Sequence, residues 1–149
     1  MAFDKKDFYA RTMHTPDTPE RAALRLALRE VSRALIALHR RLIDATRYDY
    51  AFAYAPVESP AQLLQLLNSD PFFEWLKPLT TLIVDVDEMT RTDFEPADAE
   101  RVAGRLEQLF GASAAAPFAD RYLPLLQRDV DVTVGHAALR KAITALRRG

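Results

Sequence analysis

The fold of this chain follows from residues 18–50, TPERAALRLALREVSRALIALHRRLIDATRYDY. Apolar residues recur there at alternating steps of four and three, at Leu24, Leu28, Val31, Leu35, Leu38 and Leu42. Because an α-helix turns about 100° per residue, this spacing keeps all six side chains on one stripe. The pattern predicts a helix of about thirty residues, roughly 45 Å long at ~1.5 Å per residue, that forms the long axis of a helical bundle.

The composition favours an all-α protein. The chain has 149 residues, of which 49% are hydrophobic and 28% charged, as is typical of one soluble globular domain. Its four glycines are few for a chain built from β-turns. We therefore predict an N-terminal arm at residues 1–17 and a single-domain antiparallel helical bundle at residues 18–149. The bundle is expected to have four main helices plus one or two short helices that begin at proline.

Prolines punctuate the predicted helices. Proline is tolerated in the first helical turn, where its missing N–H costs no hydrogen bond. The sequence Ser59-Pro60-Ala61-Gln62 has the form of a capping box. Pro78 predicts either a kink or the start of a new helix. The stretches at residues 82–86 and 129–134 alternate like strands, but helical spacing continues beyond both, so we predict helices there.

The residue content disfavours several classes of function. The chain has no cysteine, which removes disulfides, thiolate catalysis and Cys-ligated metals. None of its histidines has a glutamate three residues earlier, which disfavours a di-iron carboxylate site. Phosphate loops, nucleophile elbows and dinucleotide fingerprints are missing. We predict no catalytic residue, metal or cofactor, and whether the protein is an enzyme stays open. Without an apolar signal segment or membrane span, a cytosolic location is expected.

A ligand-binding or metal-binding bundle, possibly an enzyme, is one alternative. His39 is predicted at the edge of the leucine stripe, and Asp87 near the apolar face of a later helix. If those helices pack side by side, the carboxylate could orient the imidazole at the rim of the core. Tyr50 could line the same cavity. The other interpretation is that His39 is an ordinary packing residue.

Two further surfaces suggest binding to macromolecules. The segment with Phe72, Phe73 and Trp75, between two prolines, is either a core plug or an exposed interaction patch. Five arginines fall within about 80° of each other on the first helix, which could suit nucleic acid: Arg25, Arg29, Arg33, Arg40 and Arg47. A net charge of −1 makes a solvated face the better interpretation, so nucleic-acid binding is the second alternative.

The leading functional hypothesis is protein–protein interaction. The apolar stripe is nearly as long as the domain, an aromatic segment lies between prolines, and no catalytic set is evident. Symmetric dimers are the commonest soluble assemblies, so a homodimer is the expected form of self-association. Charge is uneven along the chain, at +3 for residues 1–50, −8 for residues 51–100 and +4 for residues 101–149. This pattern fits pairing between helices as well as it fits an external partner.

Overall fold

The computed structural model describes residues 16–112 and 117–148, and within them it contains six α-helices, one 3₁₀ helix and no β-strand. The segments are α1 (Pro19–Ala53), α2 (Pro60–Ser69), the 3₁₀ helix (Pro71–Leu76), α3 (Lys77–Arg91), α4 (Pro96–Phe110), α5 (Phe118–Arg128) and α6 (Val130–Arg148). The all-α prediction is confirmed. Helices α1, α3, α4 and α6 are the four longer ones, and three shorter segments accompany them, one more than predicted. The predicted arm, apart from Pro16 and Asp17, lies outside the described residues.

Helix α1 has the start and the buried stripe that its sequence predicts. The Thr18 hydroxyl accepts a hydrogen bond from the Arg21 N–H at 3.2 Å, and Pro19 occupies the first turn. All six side chains of the predicted stripe are buried in the central hydrophobic cluster. One continuous helix therefore supplies a long strip of the core.

Three of the later helical segments begin at a proline, α2 at Pro60, the 3₁₀ helix at Pro71 and α4 at Pro96, and α2 differs from its prediction in one hydrogen bond. The Ser59 hydroxyl accepts from the Gln62 N–H at 3.1 Å, as a capping box requires. The Gln62 side chain, however, accepts from the Glu58 N–H at 2.8 Å rather than from that of Ser59. The backbone N–H bound by the Gln62 side chain is thus one residue earlier than a capping box requires. This hydrogen bond ties the connection before α2 to the first turn of the helix.

The segment around Pro78 follows one of its two predicted interpretations. The 3₁₀ helix ends at Leu76 and α3 begins at Lys77, so Pro78 lies in the first turn of a new helix. Its missing N–H therefore leaves no hydrogen bond unmade. The two stretches that alternate like strands are also helical, apart from Asp129, which precedes α6.

Helix α1 is the spine of the bundle. Its most extensive partner is α6, and the next is α3. Helices α1 and α6 are antiparallel: Arg41 pairs with Asp131 near the start of α6 at 3.3 Å, whereas Leu24 shares a groove with Leu146 at its end. Helix α3 is also antiparallel to α1, because its carboxyl end lies beside Arg25. The described residues thus pack around one core.

Arg25 is a buried charge that joins the start of α1 to the end of α3. Its guanidinium group donates hydrogen bonds of 2.9–3.3 Å to the backbone carbonyl oxygens of Met89, Thr90 and Thr92. These carbonyls are the groups that a helix leaves unsatisfied at its carboxyl end. The guanidinium carbon also lies 5.0 Å from the centroid of the Phe94 ring. Arg25 is therefore a structural cap and not part of a free basic surface.

Several ion pairs join the basic ends of the sequence to its acidic middle. Arg21 of α1 pairs with Glu95 before α4 at 2.9 Å, and Arg105 of α4 pairs with Asp85 of α3 at 2.7 Å. The uneven charge along the chain is thus partly neutralised within the fold, as one of its two interpretations predicts.

Candidate functional site

The carboxyl end of α1 carries the most exposed aromatic side chains of the described chain. Tyr48 is 75% exposed and Phe52 is 90% exposed, and on a helix residues four apart lie next to each other. Val130, the first residue of α6, is 77% exposed and borders the same groove as Tyr48. We call Tyr48, Phe52 and Val130 the α1-end surface.

A groove of about 490 Å³ lies within the α1-end surface, and most of its polar groups are already paired. Arg128 forms an ion pair with Asp49 across the groove. The Asp129 carboxylate caps α6 by accepting from the N–H of Asp131 at 2.9 Å. Among the charged side chains that line the groove, Asp44 forms no ion pair within the described residues. The groove is thus an apolar recess that keeps two uncompensated carboxylates, Asp44 and Asp129, among the described residues.

The spacing of the α1-end aromatics along the sequence carries a signal for their exposure. On a helical wheel, Tyr48 and Phe52 lie about 120° and 80° from Leu42, on the side opposite Tyr50. Residues so far from a buried stripe are expected at the surface unless another helix covers them. Helix α6 begins only at Val130, beside Tyr48, and leaves both aromatics exposed.

The structure gives His39 a different partner from the one predicted. His39 Nε2 lies 3.2 Å from the hydroxyl oxygen of Thr80, which is also 3.2 Å from the Leu76 carbonyl oxygen. A carbonyl only accepts, so the hydroxyl donates to it and accepts from His39 Nε2–H. Burial lowers the pKa of His39, which fits this neutral form. The arrangement is that of a satisfied packing histidine.

Asp87 and Tyr50 lie away from His39. Asp87 pairs with Arg91 on its own helix at 2.7 Å, and it is seven residues, or about 10 Å along the axis, from Thr80. Tyr50 is eleven residues, or about 16 Å, beyond His39 on α1. The structure does not bring these three residues into one hydrogen-bonded site, and the ligand-binding alternative at this place loses its geometric basis.

Tyr50 instead belongs to an aromatic cluster at the junction of α1 with the 3₁₀ helix. Its ring centroid lies 5.6 Å from those of both Phe72 and Phe73, and 5.1 Å from that of Tyr54. These separations are typical of packed aromatic pairs. Tyr50 therefore holds the carboxyl end of α1 against the following segment.

The predicted interaction patch at Phe72, Phe73 and Trp75 is wrong as an exposed surface. Phe73 is 0% exposed and Trp75 is 8% exposed, while Phe72 is partly buried. The tight 3₁₀ winding directs Phe73 towards Tyr50 and Trp75 towards Phe118, whose ring centroid lies 5.3 Å away. The segment is the core plug that the other interpretation described.

The predicted arginine stripe is largely engaged within the fold. Arg25 is buried, Arg33 pairs with Glu30 at 2.8 Å, and Arg47 donates to the Val57 carbonyl oxygen at 3.1 Å. The other two members of the stripe, Arg29 and Arg40, form no ion pair or hydrogen bond with the described residues. A duplex ligand could not reach the buried Arg25 and would have to compete with Glu30 for Arg33 and with a backbone carbonyl for Arg47, which weakens the nucleic-acid alternative.

Within residues 16–112 and 117–148, no group of three or more histidine or acidic side chains is placed to hold a metal ion. None of the described helices is both long enough and apolar enough to cross a lipid bilayer. No protein-family model, curated protein or solved structure matches this chain. The geometry therefore carries the functional inference.

Proposed function

We propose that this protein is an interaction module that self-associates, and that two copies meet through the α1-end surface. The observation that carries the proposal is the exposure of Tyr48 and Val130 at one groove, with the exposed Phe52 one helical turn beyond Tyr48. Large aromatic residues are enriched among the residues that dominate binding energy at interfaces. Apolar side chains this exposed, gathered in one place, are typical of contact surfaces.

A second copy is the partner that suits this surface best. Across a two-fold axis the same patch faces itself, so apolar groups meet apolar groups. The ion pair between Asp49 and Arg128 compensates one of the three carboxylates that line the groove, and the contact must leave the other two, Asp44 and Asp129, at its wet rim. The rings of Phe52 and Tyr48 can then pack against their symmetry mates, and such aromatic pairs contribute ~0.5–1.5 kcal/mol beyond area burial. A cytosolic location, expected from the sequence, is part of this proposal and stays a prediction.

Sedimentation velocity over roughly 5–500 μM protein tests the proposal. We expect a concentration-dependent monomer–dimer equilibrium. We expect Phe52→Ser to weaken it about a hundredfold or more, because burying one phenylalanine contributes ~1.5–3 kcal/mol and a symmetric interface loses two of them. Val130→Asp is expected to weaken it further by placing a charge in the contact.

Leu26→Ser is the matched control. Leu26 is an exposed apolar residue on the same helix, 26 residues or about 39 Å from Phe52. Its replacement is expected to leave the dimer intact. A protein that stays monomeric across the whole concentration range, or a dimer that loses equal affinity in Leu26→Ser and Phe52→Ser, would overturn the assignment of the contact.

A further inference from the structure

A second cavity lies where α4 ends against α5 and α6, apart from the α1-end surface. Its volume is about 310 Å³, and its apolar walls come from two helices, α4 and α5: Leu109, Phe110, Leu123 and Leu126. This volume is at the lower end of the range for small-molecule sites, which are mostly apolar with a few polar groups. His136 and Arg140 of α6 also line it, so the cavity has one polar edge.

The polar edge includes a hydrogen bond between Tyr122 and His136. The buried Tyr122 hydroxyl oxygen lies 2.7 Å from His136 Nδ1. Among the described residues the phenol has no other hydrogen-bond partner, so its proton is best placed towards Nδ1. Burial raises the pKa of Tyr122 and lowers that of His136, which favours a protonated phenol beside a neutral imidazole. In that tautomer His136 Nε2 carries the hydrogen and is a donor.

Arg140 gives the same edge a positive charge. Its Nη1 donates to Glu107 Oε1 at 2.8 Å, and the same carboxylate oxygen lies 3.8 Å from Arg147 Nη1. One carboxylate thus serves two guanidinium groups, which leaves a net positive charge. An arginine has five N–H donors, and the bond to Glu107 is the one hydrogen bond that the Arg140 side chain makes to the described residues.

We propose that this cavity binds a small apolar carboxylate. Its polar edge offers donors, the imidazole N–H of His136 and the remaining N–H groups of Arg140, and its walls are apolar. A carboxylate accepts from both donors, and its apolar part fills the space between the leucines. A packing role for His136 explains its bond to Tyr122 but gives no reason for a cavity edged by further donors. This site is independent of the proposed self-association.

Titration of the full chain with benzoate, phenylacetate or hexanoate, followed by ¹H–¹⁵N correlation spectra, tests the proposal. We expect saturable shifts in the amide signals of the residues that line the cavity. Benzamide has nearly the same shape as benzoate but no charge, so we expect it to bind about tenfold more weakly. Equal binding of benzoate and benzamide, or no saturable shift with any of the three carboxylates up to about 10 mM, would overturn the proposal.

Arg140→Gln and Arg105→Gln are a matched pair of variants. The two arginine side chains are 38% and 40% exposed, and each pairs with one carboxylate on a neighbouring helix, but Arg105 does not line the cavity. We expect benzoate affinity to fall about tenfold in Arg140→Gln and to stay unchanged in Arg105→Gln. Equal losses in both variants would contradict the site. If Arg140→Gln unfolds, the comparison of benzoate with benzamide on the unmodified protein still decides.

Discussion

The guanidinium group of Arg25 and the carboxylate of Asp17 form two hydrogen bonds, from Nε to Oδ2 at 2.7 Å and from Nη2 to Oδ1 at 3.0 Å. The two side chains are only 6% and 15% exposed, so water screens the pair weakly. The hydrogen bond with Asp17 is the main reason why the pKa of Arg25 is raised. Because the same guanidinium caps the end of α3, one side chain joins three parts of the chain.

Replacing Arg25 is therefore expected to destabilise the protein strongly. Breaking a buried ion pair by removing one partner costs about 3–5 kcal/mol, so Arg25→Ala should lower the free energy of unfolding in urea by that amount. Arg25→Lys should lose less stability than Arg25→Ala, because lysine keeps the positive charge. It should still lose some, because lysine cannot form the two parallel hydrogen bonds to Asp17. Arg33→Ala, which removes an exposed pair with Glu30, should change stability by less than about 1 kcal/mol. Similar losses in both alanine variants would show that Arg25 is not a buried cap.

Replacement by alanine is expected to have opposite effects on stability at Gly104 and at Gly111. A Cβ on Gly104, an exposed position inside α4, would meet nothing within 4 Å. Gly104→Ala should stabilise the protein by about 0.5–1 kcal/mol, because alanine loses less conformational entropy in a helix. A Cβ on Gly111 would lie 2.6 Å from the Glu107 carbonyl oxygen, so Gly111→Ala should cost about 1–3 kcal/mol. Thermal unfolding followed by circular dichroism measures both changes, and equal signs would contradict the described end of α4.

Trp75 is expected to tolerate phenylalanine far better than alanine. Its indole N–H is buried and has no acceptor among the described residues, which costs about 1–3 kcal/mol in the native state. Trp75→Phe removes this donor and keeps a ring against Phe118, so it should cost less than about 1.5 kcal/mol. Trp75→Ala leaves a cavity and should cost about 3–5 kcal/mol. Urea unfolding should be followed by circular dichroism, because Trp75 is the only tryptophan. A cost for Trp75→Phe well above about 1.5 kcal/mol would mean that the N–H has a hydrogen-bond partner in the native state.

Acidification is expected to weaken the fold through His39. Burial lowers its pKa below 6.5, so the unfolded chain binds a proton more readily than the folded chain does. The stabilising contribution of neutral His39 is present above pH 6.5 and is lost as the pH falls through the lowered pKa of the folded state. Urea unfolding between about pH 8 and 5 should show a smaller loss of stability in His39→Gln than in the unmodified protein. Burial also lowers the pKa of His136, so some dependence on pH should remain. An unchanged slope in His39→Gln would contradict the burial of that imidazole.

The helices could be predicted from the sequence because their signals are local. Apolar spacing fixed the buried stripe of α1, and prolines preceded by capping residues marked where later helices begin. The hydrogen bond from a side chain in the first turn back to the backbone before the helix was less predictable. Gln62 bonds to Glu58 rather than Ser59, a choice that depends on how the preceding connection approaches the helix.

The candidate sites were harder to predict because they depend on how helices are offset along their axes. A helical wheel placed His39 and Asp87 on faces that could meet. It gives the angle of each residue around its own helix, but not its position along the axis relative to a neighbouring helix. The packing of α3 against α1 sets Thr80, two turns away from Asp87, opposite His39. Arg25 was assigned to a surface stripe for the same reason, since neither Asp17 nor the carbonyl groups of α3 carry a sequence signal that points to it.

The tight association of α1 with α6 also has a consequence for biosynthesis. These helices form the largest contact in the described fold, yet about 95 residues separate the end of α1 from the end of α6. At ~5–20 residues per second, translation needs roughly 5–20 s to supply the second helix after the first. During that interval the leucine stripe of the nascent chain lacks its main cover, so its apolar side chains are open to contacts outside the chain until α6 has been made.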